Sequence, residues 1–163
     1  MYTVIGVMGG ALADEVVMAE ARRIGQLIAE HGFVLLNGGR DAGVMAASAQ
    51  GAHERGGLVV GVLPTETTTG VSPHVDIAIA TGMGDARNVI NVLSSHLVIS
   101  LPGGAGTISE IALALKSGRT VITIGFPLGS EFARYYDDGS LIDARDADSA
   151  IEVALRVLSA HTA

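Results

Sequence analysis

Residues 97–118 read LVISLPGGAGTISEIALALKSG, a short apolar run followed by a glycine-rich turn and then by apolar residues at helical spacing. The run Leu97 to Leu101 predicts a buried β-strand, and Thr107 to Ser117 predicts a helix. Strand, glycine turn and helix in this order are typical of one unit of a parallel sheet with helical connections. The stretch therefore indicates an α/β fold.

The same alternation continues on both sides of this unit. Further strands are predicted at Tyr2 to Met8, Phe33 to Leu36, Leu58 to Leu63, Asp76 to Ala80 and Thr120 to Ile124. Further helices are predicted at Asp14 to His31, Gly43 to Arg55, Asp85 to Ser95 and Asp148 to Ala160. The whole pattern predicts a single domain over residues 1–163. We expect a Rossmann-like, doubly wound parallel sheet in three α/β/α layers, with ligands bound beyond the carboxyl ends of the strands.

Two segments lack a clear pattern. The polar stretch Thr65 to Pro73 is either a mobile loop beside a site or a plain surface connection. The segment Pro127 to Asp143 is predicted to be less regular than the rest. Both segments leave the alternation of strands and helices intact.

The composition excludes several classes of protein. The chain has 17 Asp and Glu against 10 Lys and Arg, a formal charge of −7 without a basic cluster, which argues against a nucleic-acid partner. It contains no cysteine, so disulfides and thiolate chemistry are excluded. No secretory signal and no apolar run long enough for a membrane span are evident. We expect a cytoplasmic protein without a membrane partner.

The turn Pro102 to Gly106 predicts a phosphate site. Glycines such as Gly103 and Gly104 let the backbone approach a ligand, and the unpaired amides of the following helix favour an anion. Thr107 adds a hydroxyl group. The alternative is an ordinary glycine-rich turn. Glu110, one helical turn further, serves either as a general acid or base, as an acceptor for ligand hydroxyls, or only as a favourable charge near the helix start.

Three more glycine turns follow predicted strands. In the turn from Thr81 to Asn88, Asp85 is interpreted as an N-cap. Arg87 lies in the first turn of the predicted helix, where a cation is mildly unfavourable unless it binds an anion. The alternative is a solvated or ion-paired arginine. The other two turns comprise residues 8–10 and 38–45. Carboxyl ends of parallel strands meet at one edge, so we expect all of these turns to converge there.

No other catalytic centre is evident in the sequence. The five histidines show no metal-ligand spacing, and no serine lies in a nucleophile elbow. We therefore predict no protein-ligated metal. His31, His53 and His161 are predicted to be surface residues near helix ends.

Three motifs carry a resemblance to a known family. GGRDAGVM (residues 38–45), GDARN (84–88) and PGGAGTISE (102–110) resemble the Lonely Guy (LOG) superfamily, once labelled possible lysine decarboxylases, and within it the molybdenum cofactor carrier-like branch. The similarity covers about residues 1–125. It implies a Rossmann-like homodimer or homotetramer. In the hydrolase members an arginine and a glutamate cleave the N-glycosidic bond of nucleoside 5′-monophosphates, and the matching residues are Arg87 and Glu110.

The chain also departs from the hydrolase pattern. Asp85 and Asn88 stand where the hydrolases have a histidine and a lysine, and Ser109 replaces the first of two adjacent glutamates. These departures favour the carrier-like branch, so the resemblance implies a binding protein for the molybdenum cofactor, with a nucleoside-monophosphate phosphoribohydrolase as the alternative. The predicted ligand-binding residues are Gly9, Gly10, Gly39, Arg40, Gly43, Met45, Gly82, Arg87, Asn88, Pro102, Gly103, Gly104, Gly106, Thr107 and Glu110.

Overall fold

A computed structural model describes residues 2–160 of the chain. Within them the strands are β1 (Val4–Met8), β2 (Val34–Asn37), β3 (Val59–Leu63), β4 (Ile77–Ala80), β5 (Leu97–Ser100), β6 (Val121–Ile124) and β7 (Leu141–Ala144). The helices are α1 (Glu15–Glu30), α2 (Gly43–Glu54), α3 (Asn88–Leu93), α4 (Ala105–Lys116), α5 (Ala133–Asp137) and α6 (Ala147–Ala160). Short 3₁₀ turns cover Gly84–Arg87 and Ser130–Phe132.

The strands form one sheet in the order β4-β3-β2-β1-β5-β6-β7. Every neighbouring pair is parallel. The strand order reverses between β1 and β5, where Met8 pairs with Ser100, and a crevice opens at such a switch point. The predicted Rossmann-like, doubly wound α/β fold is confirmed.

Two apolar cores lie on opposite faces of the sheet. Because side chains alternate along a strand, Ile99 belongs to the core that includes α1, α2 and α6, whereas its neighbour Val98 belongs to the core that includes α3 and α4. In β6, Ile122 belongs to the first of these cores and Val121 to the second. The helices therefore form two outer layers around the sheet, as the sequence predicts.

The tail is more regular than the sequence predicts. The segment Pro127 to Asp143 contains α5 and most of β7, which pairs with β6 at the edge of the sheet. Its strand residues are partly buried or exposed, apart from Leu141, so the short run lacks the apolar signal of a central strand. The prediction of a less regular segment did not include α5 or β7.

The helix predicted at Asp85 to Ser95 also differs in detail. Residues Gly84–Arg87 form a 3₁₀ turn, and α3 begins only at Asn88. Neither start has a side-chain cap, so the interpretation of Asp85 as an N-cap was wrong. The two glycines of this turn, Gly82 and Gly84, have positive φ, which favours a tight turn over a regular helical entry.

The stretch Thr65 to Pro73 is tied to the turn after β2. Asp41 N donates to the Gly70 carbonyl at 3.1 Å, and Ser72 N donates to the Gly39 carbonyl at 2.9 Å. The stretch contributes no residue to the wall of the cavity described below. His31 and His53 are exposed, as predicted, whereas His161 lies outside the described residues. None of the helices within residues 2–160 is both long and apolar enough to cross a bilayer.

Candidate functional site

A cavity of about 220 Å³ lies at the switch point between β1 and β5. Its wall is formed by the turns that follow β1, β2 and β5, together with the 3₁₀ turn before α3. The predicted residues that line it are Gly9, Gly10, Arg40, Met45, Arg87, Asn88, Gly104, Gly106, Thr107 and Glu110. The structure therefore brings most of the predicted ligand-binding residues together.

The remaining predicted residues do not line the cavity but shape the loops around it. Pro102 accepts a hydrogen bond from Gly10 N at 3.0 Å through its carbonyl, which joins the turns after β1 and β5. A side chain at Gly103 would collide with the Thr107 side chain, and its Cβ would lie 2.8 Å from Gly10 N. Other predicted glycines with positive φ, which suits turns, are Gly39, Gly43 and Gly82.

The start of α4 forms a cradle on one wall. Gly104 is the N-cap of α4 without a side-chain cap, and Ile108 N donates to the Gly104 carbonyl at 3.1 Å. The amides of the first turn therefore have no partner within the helix. A Cβ added at Gly104 or Gly106 would meet no protein atom within 4 Å. The protein leaves open space above these amides, which is suited to an anion.

Arg87 lines the same cavity from the 3₁₀ turn before α3. Its Nη1 donates to the Val62 carbonyl at the end of β3 at 3.0 Å, which anchors the guanidinium across the sheet edge. Its Nε is buried and has no hydrogen-bond partner within residues 2–160. Burial lowers the pKa of Arg87, and the charge of Glu110 opposes this change. Arg87 nevertheless makes no ion pair within 4.0 Å among the described side chains, so no described carboxylate contacts this cation directly.

Gly38 is a wall residue that the sequence analysis did not select. A Cβ at Gly38 would lie 2.5 Å from Arg87 Nη1 and 2.7 Å from Met45 Sδ. A larger residue here would have to displace the ends of these two side chains, because the guanidinium lies close to the Gly38 backbone. Sequence alone gives no signal for this pair, since the two residues are far apart in the chain. Further wall residues that were not selected are Val7, Met8, Ala11 and Asp85.

Glu110 lies at the bottom of the wall and is 7% exposed. Its Oε1 accepts a hydrogen bond from Asn91 Nδ2 at 2.8 Å. Burial raises the pKa of Glu110, while the bond from Asn91 and the charge of Arg87 act in the opposite direction. The cavity thus combines a cradle for an anion, a cation and a buried carboxyl group. Such a set is chemically suited to a phosphorylated molecule that also carries hydrogen-bond donors.

Asn88 and Ser109, two residues that depart from the hydrolase pattern, contact each other. Asn88 Nδ2 donates to Ser109 Oγ at 3.0 Å, and Ser109 Oγ donates to the Gly106 carbonyl at 2.7 Å. The two positions at which the sequence departs from the hydrolase pattern are therefore coupled across α3 and α4. The bond also links the Arg87 segment to the glycine cradle.

Residues 2–160 contain no group of three or more histidine, cysteine, aspartate or glutamate side chains placed to hold a metal ion. The rings of His53 and His74 lie near each other, with centroids 5.2 Å apart.

Solved structures similar to this chain include two proteins connected with the molybdenum cofactor. The molybdenum cofactor binding protein from Rippkaea orientalis is 44% identical with a TM-score of 0.91, covering 97% of this chain and 98% of its own. The molybdenum cofactor carrier protein from Chlamydomonas reinhardtii is 39% identical with a TM-score of 0.89, and the match covers 98% of this chain and 99% of that protein's chain. These similarities extend over essentially the whole chain.

More distant relatives are cytokinin riboside 5′-monophosphate phosphoribohydrolases. The protein from Mycobacterium tuberculosis and a probable one from rice are each 35% identical. The matches cover 60% and 56% of this chain, and only 54% and 38% of those proteins. The resemblance to the LOG superfamily and its carrier-like branch is confirmed. Because the model of the SLOG cluster4 family matches residues 2–153, the chain belongs to the SLOG cluster4 family.

Proposed function

We propose that this protein binds a phosphorylated, nucleotide-like ligand at the β1–β5 switch point, and that its cargo is the molybdenum cofactor. The observation that carries the proposal is the half-buried guanidinium of Arg87, which makes no ion pair with the described side chains and lines the same cavity as the open cradle of α4. A cation in such a place is stabilised by an anionic ligand. The likeness to two molybdenum cofactor proteins over nearly the whole chain supports the choice of cargo.

The dimensions of the cavity fit the phosphate end of this cargo. At about 220 Å³ the cavity lies below the roughly 300–1,000 Å³ of pockets that enclose most of a drug-sized ligand. The phosphate and the atoms next to it would therefore lie inside. The amides at Gly104 to Thr107 and the Thr107 hydroxyl would hold the phosphate, and Arg87 would neutralise it. Asn88 and Arg40 would contribute further polar contacts from the wall.

The test is binding without turnover. We expect the purified protein to melt at a higher temperature in the presence of the molybdenum cofactor, since a ligand that binds only the folded state stabilises it. Arg87→Ala should weaken binding by more than about 1 kcal/mol, as expected for a charge-assisted contact. Arg55→Ala is the matched control, because Arg55 forms a surface ion pair with Glu30 outside the cavity. A wild-type melting temperature that the cofactor leaves unchanged would contradict the proposal.

The alternative function is nucleoside-monophosphate hydrolysis. It is favoured by the presence of Arg87 and Glu110 in one cavity, because the matching arginine and glutamate are the catalytic pair that the resemblance implies. In that case Glu110 would act on the ribose hydroxyls or the attacking water, and Arg87 would stabilise the developing charge. Incubation with AMP or a cytokinin riboside monophosphate would then release the free base and ribose 5-phosphate. Turnover that Glu110→Gln abolishes would replace the carrier proposal.

We further propose that the protein forms a homodimer or homotetramer and that it is located in the cytoplasm. Support for self-association comes from β4, whose residues are all exposed although the strand is entirely apolar. The lack of cysteine is compatible with a reducing compartment. The mass of the purified protein in solution tests the assembly, and cell fractionation tests the location.

A further inference from the structure

Asn91 occupies an unusual place for an amide side chain. It lies in α3 and is 0% exposed, next to Val92, which belongs to the apolar core shared with α4. A buried amide is costly unless its polar atoms are hydrogen-bonded. Asn91 Nδ2 donates to Glu110 Oε1, but Asn91 Oδ1 is buried without a partner in residues 2–160. An apolar side chain would avoid this cost, so stability alone does not explain the asparagine.

The hydrogen bond to Glu110 explains why an amide side chain is found at position 91. Asn91 donates to only one oxygen of the Glu110 carboxyl group, Oε1. No donor to the other oxygen, Oε2, is found within the described residues. Since Glu110 lines the cavity, the second oxygen is available to a ligand. The charged groups that share the cavity are Arg87, Arg40 and Asp85. Of these, Arg87 acts on Glu110, and it does so without direct contact.

We propose that Asn91 is a positioning residue: it holds Glu110 as an ionised acceptor directed into the cavity, and the site thereby selects ligands that carry an N–H or O–H donor near their phosphate. This inference rests on the proposed function, because it concerns the same cavity. The direction of the pKa supports it, since Asn91 opposes the effect of burial on the carboxyl group. Without Asn91, Glu110 would take up a proton at higher pH and lose its acceptor role.

The experiment compares two probes and three proteins. The probes are 6-hydroxymethylpterin phosphate, which carries ring N–H donors, and inorganic phosphate, which has no such ring. The proteins are the wild type, Asn91→Leu and Val92→Ala. Val92→Ala is the matched control, because Val92 is the fully buried neighbour of Asn91 on α3 and its apolar side chain makes no hydrogen bond to Glu110. Dissociation constants are measured from pH 5 to pH 9, and the titration of Glu110 is followed in the ligand-free proteins by carbon-13 NMR.

For Asn91→Leu we expect the midpoint of the Glu110 titration to move to higher pH. Its affinity for the pterin phosphate at neutral pH should fall about tenfold, as for the loss of one hydrogen bond to a charged group, while its affinity for inorganic phosphate stays unchanged. Val92→Ala should lower the melting temperature and leave the titration midpoint in place.

An unchanged Glu110 midpoint in Asn91→Leu would overturn the positioning role. An equal loss of affinity for both probes would overturn the selectivity. A wild-type protein that binds neither probe would contradict the proposed function together with the selectivity that depends on it. The titration in the ligand-free proteins would still decide whether Asn91 controls Glu110.

Discussion

Glu110 and Arg87 line the same cavity, yet the pKa of each is shifted in the direction that burial favours. Burial shifts the pKa of Glu110 upwards and that of Arg87 downwards, and their mutual attraction only partly compensates. If the two groups formed a direct ion pair, the cavity would have little remaining affinity for an anion. Their separation keeps the cation available to a ligand and the carboxyl group available to a donor.

The buried carboxyl group predicts a specific pH dependence of stability. A folded pKa above the ordinary value of 4.5 means that the folded state binds the proton more tightly than the unfolded state. The stabilising effect of this proton is complete below that value and is lost as the pH rises through the folded pKa. Glu110→Gln should therefore raise the melting temperature at pH 8, by roughly 2–4 °C for each kcal/mol in a chain of this size.

The same variant should show no gain in melting temperature near pH 4, where the carboxyl group is protonated in both states. Calorimetry across this range checks the prediction. Asp138→Asn is a suitable control, because Asp138 is exposed and the pKa of its carboxyl group is lowered by bonds from Ser140. A gain for Glu110→Gln that grows as the pH falls would contradict the account.

At the level of elements, the glycines around the start of α4 are of two kinds. Gly103 is required by the fold, because a side chain there would collide with Thr107. Gly104 and Gly106 have open space where a side chain would lie. Both glycines line the cavity, so under the proposed function this space is left for the ligand.

This difference gives a paired prediction. Gly103→Ala should destabilise the protein by about 1–3 kcal/mol, as overpacking does. Gly106 lies in α4, so Gly106→Ala should stabilise the protein by up to about 1 kcal/mol through helix propensity. Gly106→Ala should nevertheless weaken binding of a phosphorylated ligand at least about tenfold, because it narrows the cradle. Thermal denaturation and calorimetric titration separate the two effects. Unchanged affinity in Gly106→Ala would place the phosphate elsewhere.

The elements also show which parts of the site the sequence can predict. Strand, glycine turn and helix follow one another along the chain, so the cradle and the turn before α3 were accessible to pattern analysis. Gly38 and Asn91 were not, because each is explained by a partner from another element: the guanidinium of Arg87 and the carboxyl group of Glu110. Such contacts exist only once the sheet order is fixed.

For the whole molecule, the alternating pattern was sufficient to predict the doubly wound sheet, but not its edges. The central strands are fully buried and give continuous apolar runs, as in β5 and β6. The edge strand β7 has a weaker pattern and was missed. The other edge strand, β4, is apolar but exposed, with Ile77 and Ile79 at 47% and 44%.

The exposed edge predicts self-association. Ile77 and Ile79 pair with Val60 and Val62 in register, so they extend the same sheet face without a covering helix of their own. We expect a dimer or a tetramer by light scattering, and Ile79→Glu should shift it towards the monomer because a buried charge is costly. Val16→Glu is the control, since Val16 is exposed on α1. A wild-type monomer would contradict this prediction.

The central claim is that the start of α4 and Arg87 together hold the phosphate of the cargo. A crystal structure of the protein with bound molybdenum cofactor tests it most directly. The account predicts the phosphate in hydrogen-bond contact with the amides at Gly104 to Thr107 and with the Arg87 guanidinium. A cofactor bound elsewhere, or bound here with its phosphate directed away from α4, would contradict it.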